Sequence, residues 1–178
     1  MVRSSVDVRA LQQPIRERYQ REPDAARIEL RAKSAPSDLA DPLHCAVEAV
    51  GPHTVMRSGA HPAVGGSDDV PCSGDLLLAA LAACQETTLR MVAANMGIDL
   101  RSVNVEVTGE WDARGTLAMG GPIGITAIRC RTTIVVGEDE RGERADRLLR
   151  SAEKYCVILN TLRSGVNVDS TFELHAAG

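Results

Sequence analysis

The sequence predicts an α+β chain in which antiparallel strands wrap a long central helix. Three observations carry that expectation. Segments of alternating apolar and polar residues flank one long apolar helical stretch, residues 74–96. The order along the chain is strands, buried helix, strands, helix, strand, which fits antiparallel sheet around a helix better than a run of parallel βαβ units. Aromatic residues are only 2 % of the chain against 44 % in the hydrophobic set, so the core must be aliphatic. A length of 178 residues suits one domain with an appended element.

The elements follow in order. Residues 6–22 read as a charged amphipathic helix, with Val8, Leu11, Ile15 and Tyr19 on one face, Pro14 interrupting it and Pro23 closing it. This is the appended element, so residues 1–24 form an N-terminal helical extension and residues 25–178 the main domain. Residues 26–33, 44–50 and 53–57 are strand candidates, with Gly51-Pro52 turning between the last two. The Gly-, Pro-, Ser- and Asp-rich residues 58–74 read as an ordered loop.

The central helix follows, with Ser73 as its expected N-cap, Asp75 in a first turn that favours negative charge, and Gly97 as its stop. Its first half, LLLAALAAC, is apolar all round and must be buried on all sides. One small monomer supplies too little cover for that, which argues for a dimer. Val103, Val105 and Val107 alternate with polar residues in a strand over 103–111; a β-branched strand over 123–136, an amphipathic helix over 139–155, a short helix over 156–163 and a final strand over 166–174 complete the chain.

Composition excludes several functions. A net charge of -4 and scarce aromatics give no footprint for nucleic acid. The longest apolar run, Leu76 to Cys84, is far shorter than the roughly 18–20 residues a bilayer crossing needs. The charged N-terminus is no secretory signal, so a cytoplasmic protein is expected. The five cysteines have no zinc spacing, and their odd number argues against a disulfide framework. They are therefore packing residues or carriers of thiol chemistry.

Cys84, on the apolar helix with Thr87 and Thr88 one turn on, reads either as a core thiol or as a reactive one. Cys72, just before the helix, could have its pKa lowered by the helix terminus, or be an idle loop thiol. Cys156 falls where two helices meet, Cys130 reads as core on a strand, and Cys45 has no motif around it.

CSGDLLLAALAAC resembles the signature of the OsmC/Ohr family: a small-residue turn, an acidic residue, then an Ala-rich helix carrying a reactive cysteine. AHPAVGG before it, MGIDLRSVNVEVTGEWDARGTL after it and AEKYCVILNTL further on extend the likeness over roughly residues 59–174. The resemblance implies an intertwined α+β homodimer with central helices between sheets. It also implies reduction of organic hydroperoxides without metal or prosthetic group. By carry-over, Cys84 attacks the peroxide, Cys156 resolves the sulfenic acid as a disulfide, and a dithiol reductant restores both.

Burial among Leu and Ala raises a thiol's pKa, so Cys84 calls for a nearby cation. The family uses an arginine held by a glutamate near the helix start. Arg57 is the first candidate for that cation, and Arg114 the second. Two departures stand out. The glutamate slot holds Gly74, with the shorter Asp75 beside it, and the family's second motif, Cys-Pro, reads Cys156-Val157 here. The alternative function is a non-catalytic dimer that binds a small apolar ligand or senses oxidants.

Overall fold

The structure is a computed structural model and is described over residues 6–175. Helix α1 (Val8–Arg21) opens on Asp7, whose carboxylate accepts from the Ala10 N–H, and it runs through Pro14 without a break. It docks on the end of the central helix: Arg9 donates to the Asn95 carbonyl at 2.8 Å, and Asn95 donates to Gln12 Oε1 at 3.1 Å.

Strands β1 (Ala32–Ala35), β2 (His44–Ala49) and β3 (Thr54–Gly59) form an antiparallel meander with Ala32 opposite Ala49 and His44 opposite Gly59. β1 starts later than expected: Pro23–Ala26 turns as a 3-10 segment, and residues 27–31 lie outside the ladder, with the Arg31 carbonyl accepting the Val50 N–H at 3.0 Å. Ile28 and Leu30 consequently stay exposed.

The central helix α2 (Ser73–Met96) is capped by Cys72 rather than Ser73. The reason is Asp75, whose Oδ2 accepts the Cys72 N–H at 2.9 Å and fixes the first turn one residue earlier. Gly97, at φ 65, ends the helix in the left-handed conformation that favours glycine. β4 (Leu100–Trp111) and β5 (Ile125–Val136) form a separate antiparallel pair, joined through the short helix α3 (Ala113–Thr116). Gly109 lets β4 approach α2 closely, since a Cβ there would stand 3.2 Å from a Leu78 methyl. α4 (Glu143–Tyr155) and α5 (Val157–Ser164) follow, with the first residues of the expected 139–155 helix taken up by a 3-10 turn at Glu138–Glu140.

The main core joins Leu89 and Ala93 of α2 to Leu148 and Ala152 of α4, with Ile98 beneath and Val103, Ile134 and Val136 of the sheet beside it. α2 is long and apolar enough, by length and composition, to cross a membrane, which the run Leu76–Cys84 alone does not suggest. It packs instead on β4, α4 and α5.

One expectation needs correction, the final strand; the shortfall of cover for α2 in a single chain is as expected, because within one chain α2 is not buried on all sides. A single stripe, Leu81, Gln85, Thr88, Leu89 and Ala93, is covered, while Leu77 and Met91 remain exposed. Residues 166–174 form no strand, because a strand exists only by pairing and no edge in the chain meets them. Val166, Val168, Phe172 and Leu174 lie open to solvent. The chain exposes 13471 Å² of surface. A compact monomer of 19.0 kDa would expose only about 8,400 Å².

Candidate active site

The structure brings two of the five cysteines into direct contact, Cys84 and Cys156. Cys84 projects from the middle of α2 and is partly exposed, whereas Cys156 is wholly buried. Cys156 sits where α4 ends and α5 begins, with φ -72 and ψ 106, and so leaves helical geometry for one residue. That single break has a chemical consequence. The first N–H groups of a helix have no intrahelical acceptor, and here they find sulfur. The N–H groups of Val157 and Ile158 donate to Cys84, and that of Leu159 donates to Cys156.

Burial pushes the Cys84 thiol up. The Ile158 N–H, the Cys156 thiol, the Thr88 hydroxyl and the Val157 N–H outweigh it together and hold Cys84 below the ordinary value of 9.0. Cys156 moves the other way. Burial lifts it, the Leu159 N–H offsets only part of that, and a negative Cys84 lifts it further, to about 11. Cys84 is therefore the more acidic thiol of the pair, and the Cys156 S–H is among the groups that favour its ionised form. This is the division of labour that a nucleophile and a resolving thiol require.

Asn160 holds the break in place. Its Nδ2 donates to the carbonyl of Cys156 at 2.8 Å and to those of Glu153 and Lys154, each at 3.2 Å. The Glu153 and Lys154 carbonyls are ones that the end of α4 would leave unpaired, whereas the Cys156 carbonyl also accepts the Asn160 backbone N–H at 3.1 Å. Sequence reasoning missed Asn160, although an amide four residues after a cysteine at a helix junction is the available signal. Cys130, on β5, stands near enough for its charge to raise Cys156, and burial raises Cys130 itself.

The other sequence candidates stand elsewhere in the chain. Arg57, on β3, lies 3.9 Å from Asp69 and is largely exposed. Arg114 is held by Asp112 at 2.5 Å. Neither is among the groups that shift Cys84. Asp75 lies about 14 Å upstream along α2 at 1.5 Å per residue, and its carboxyl is held low first by the Cys72 N–H. Among the described residues no group of three or more His, Cys, Asp and Glu could hold a metal.

A family model described as OsmC-like protein matches residues 66–171. Among solved structures, an OsmC-like protein of unknown function from Vibrio cholerae superposes with a TM-score of 0.59 at 16 % identity, covering 76 % of this chain and 94 % of its own. An OsmC-like protein from Mycoplasma pneumoniae gives 0.60 at 18 %, covering 78 % and 89 %. An organic hydroperoxide resistance protein from Legionella pneumophila gives 0.58 at 21 %, covering 80 % and 94 %. No curated protein matches the chain by sequence. At these identities the structures establish the α+β fold.

Proposed function

The chain belongs to the OsmC-like family, and from that premise we propose that it reduces organic hydroperoxides through Cys84 and Cys156. The observation that carries this reading is the split within the contacting pair, one thiol lowered and the other raised to about 11. In the proposed cycle the Cys84 thiolate attacks the terminal peroxide oxygen, the O–O bond breaks, and the alkoxide leaves as alcohol after taking a proton. Cys84 becomes a sulfenic acid and no longer carries charge. The like-charge contribution that raised Cys156 then disappears, so Cys156 ionises more readily at the step where it must attack. Its sulfur displaces hydroxide, which leaves as water, and a disulfide forms. A dithiol reductant returns both thiols.

The proposed working form is a cytoplasmic homodimer, in keeping with the excess surface of the single chain. Arg57 and Asp75 are retained as proposed helpers, although within one chain neither stands at Cys84. One observation favours the rival reading, a binding or sensing module: Gly74 occupies the slot of the family's glutamate.

The test is turnover of cumene hydroperoxide and of hydrogen peroxide with a dithiol reductant, beside Cys84→Ser and Cys156→Ser. Sustained turnover, abolished in Cys84→Ser and stalled at sulfenic acid in Cys156→Ser, is the expected result. A folded wild type that turns over neither peroxide would sink the enzyme in favour of the module.

A further inference from the structure

Two of the three carbonyls that Asn160 holds are ones an unbroken helix would pair differently. In an α-helix each N–H donates to the carbonyl four residues back. Were α4 to run on into α5, the Val157 N–H would take the Glu153 carbonyl and the Ile158 N–H the Lys154 carbonyl. Those carbonyls instead accept from Asn160 Nδ2, each at 3.2 Å. The displaced N–H groups are the two that donate to the Cys84 sulfur. The third bond of Nδ2, to the Cys156 carbonyl at 2.8 Å, ties the amide to the residue whose ψ of 106 makes the break. α4 closes normally just before it, with the Cys156 N–H on the Ala152 carbonyl at 3.1 Å.

A carboxamide suits this exchange. Its amide nitrogen carries two hydrogens, so one side chain can stand in for two backbone donors. Without it, the Glu153 and Lys154 carbonyls would be left to water or to the N–H groups of Val157 and Ile158, the donors in helical register with them. We propose that Asn160 is a positioning residue for Cys84: its side chain occupies the carbonyls that would otherwise draw off the Val157 and Ile158 N–H groups, and so keeps both donors on sulfur. Asn160 acts through the backbone and is not itself among the groups that shift Cys84. The proposal rests on the preceding reading only in taking Cys84 as the reactive thiol.

The test is alkylation of the reduced full-length protein by iodoacetamide across a pH series, with Cys84 followed by peptide mass spectrometry and the fold by circular dichroism. The variants are Asn160→Leu, which keeps the branching and removes the donor, and Asn160→Ala, which removes the amide altogether. Each is made alone and together with Val157→Pro. Proline has no N–H and its ring cannot sit inside a continuous helix, so at 157 it holds the break by itself. Alone, both variants raise the pH midpoint of Cys84 and slow its alkylation at pH 7 by roughly 3- to 10-fold, the effect of losing about one neutral hydrogen bond. Beside Val157→Pro they change the rate by less than about 2-fold relative to Val157→Pro alone, because sites that act through one break are not additive. An asparagine with a merely structural role would leave the rate unchanged, or slow both backgrounds alike. Either result in folded protein overturns the proposal, as does a wild-type Cys84 whose midpoint is no lower than the ordinary 9.0. Peroxide turnover does not enter this readout: a wild type that reduces no peroxide removes the enzyme, and alkylation still decides the role of Asn160.

Discussion

Val157 stands in the slot where the family's second motif has proline, and the exchange alters the chemistry of Cys84. Proline has no N–H, whereas Val157 donates its own to the Cys84 sulfur. Val157→Pro therefore removes one of the four groups that hold the thiol down. The substitution suits the backbone, because proline is favoured at the first position of a helix. Cys156, at ψ 106, is already in the extended region that a residue before proline requires. The Cys84 pKa is expected to rise toward the ordinary thiol value, and alkylation by iodoacetamide at pH 7 to slow several-fold while circular dichroism stays unchanged. That Cys84 and Cys156 meet was implied by the family resemblance of the motifs around them. The donors were not, because backbone N–H groups have no residue signature and only the break at Cys156 turns them outward. A cation was expected from the same reasoning about buried thiols; in the single chain the start of α5 supplies the stabilisation instead. Among the donors, the Thr88 hydroxyl, four residues on from Cys84, and the Cys156 thiol were visible in the sequence.

Among the elements, the loop before α2 is tied to β3 by the Ser58 hydroxyl and the Gly59 N–H, which both donate to the Pro71 carbonyl, and to β2 by one imidazole. His44, at the start of β2, meets Asp41 Oδ2 through Nδ1 at 2.7 Å and Asp69 Oδ1 through Nε2 at 2.9 Å. Ser67 also bonds Asp69, and Arg57 of β3 lies 3.9 Å from it. Asp69 first and Asp41 second raise the His44 pKa above 6.5; Ser67 first and His44 second lower Asp69 to about 2. The raised histidine stabilises the fold fully below pH 6.5 and loses that contribution as pH rises through its higher folded value. The lowered aspartate contributes above 3.8 and loses its contribution as pH falls toward 2. The clamp is therefore complete between about pH 4 and 6.5. His44→Gln is expected to speed hydrogen exchange of the loop at residues 61–72 at pH 6, and to matter much less at pH 9. Element types were largely legible because period-2 and period-3.6 patterns report burial on one face. The segment 166–174 has the alternation of a strand without an edge to join, which no local pattern can reveal.

For the whole molecule, the surplus of exposed surface is the governing fact. The three-stranded meander leaves Val55 and Met56 open, and α2 leaves Leu77 and Met91 open. A chain with this much uncovered apolar area is expected to associate, and the proposed homodimer covers it. Sedimentation equilibrium should give twice 19.0 kDa at micromolar concentration. The double variant Leu77→Asp and Met91→Asp should shift the protein toward monomer and lower its thermal midpoint, since charge cannot be buried at that seam. A wild type that sediments as a monomer would remove the dimer from the proposal. The fold class was legible because the order of elements limits how layers can stack. The sequence also pointed to a partner through the all-round apolar helix, but not to which faces stay open.

The contact between Cys84 and Cys156 also has a topological meaning. A disulfide there closes roughly 70 residues into a covalent ring, with β4, β5 and α4 strung on it and the N-terminal meander left as a tail. In the chain-entropy account, a ring of that size removes about 4 kcal/mol of disorder from the unfolded chain. Oxidised protein should consequently run faster on a non-reducing denaturing gel and unfold at higher urea than the reduced form. One turn of the proposed cycle would thus tie and untie roughly 70 of the 178 residues, and a cell's supply of reductant would set how long each copy spends in its more durable shape.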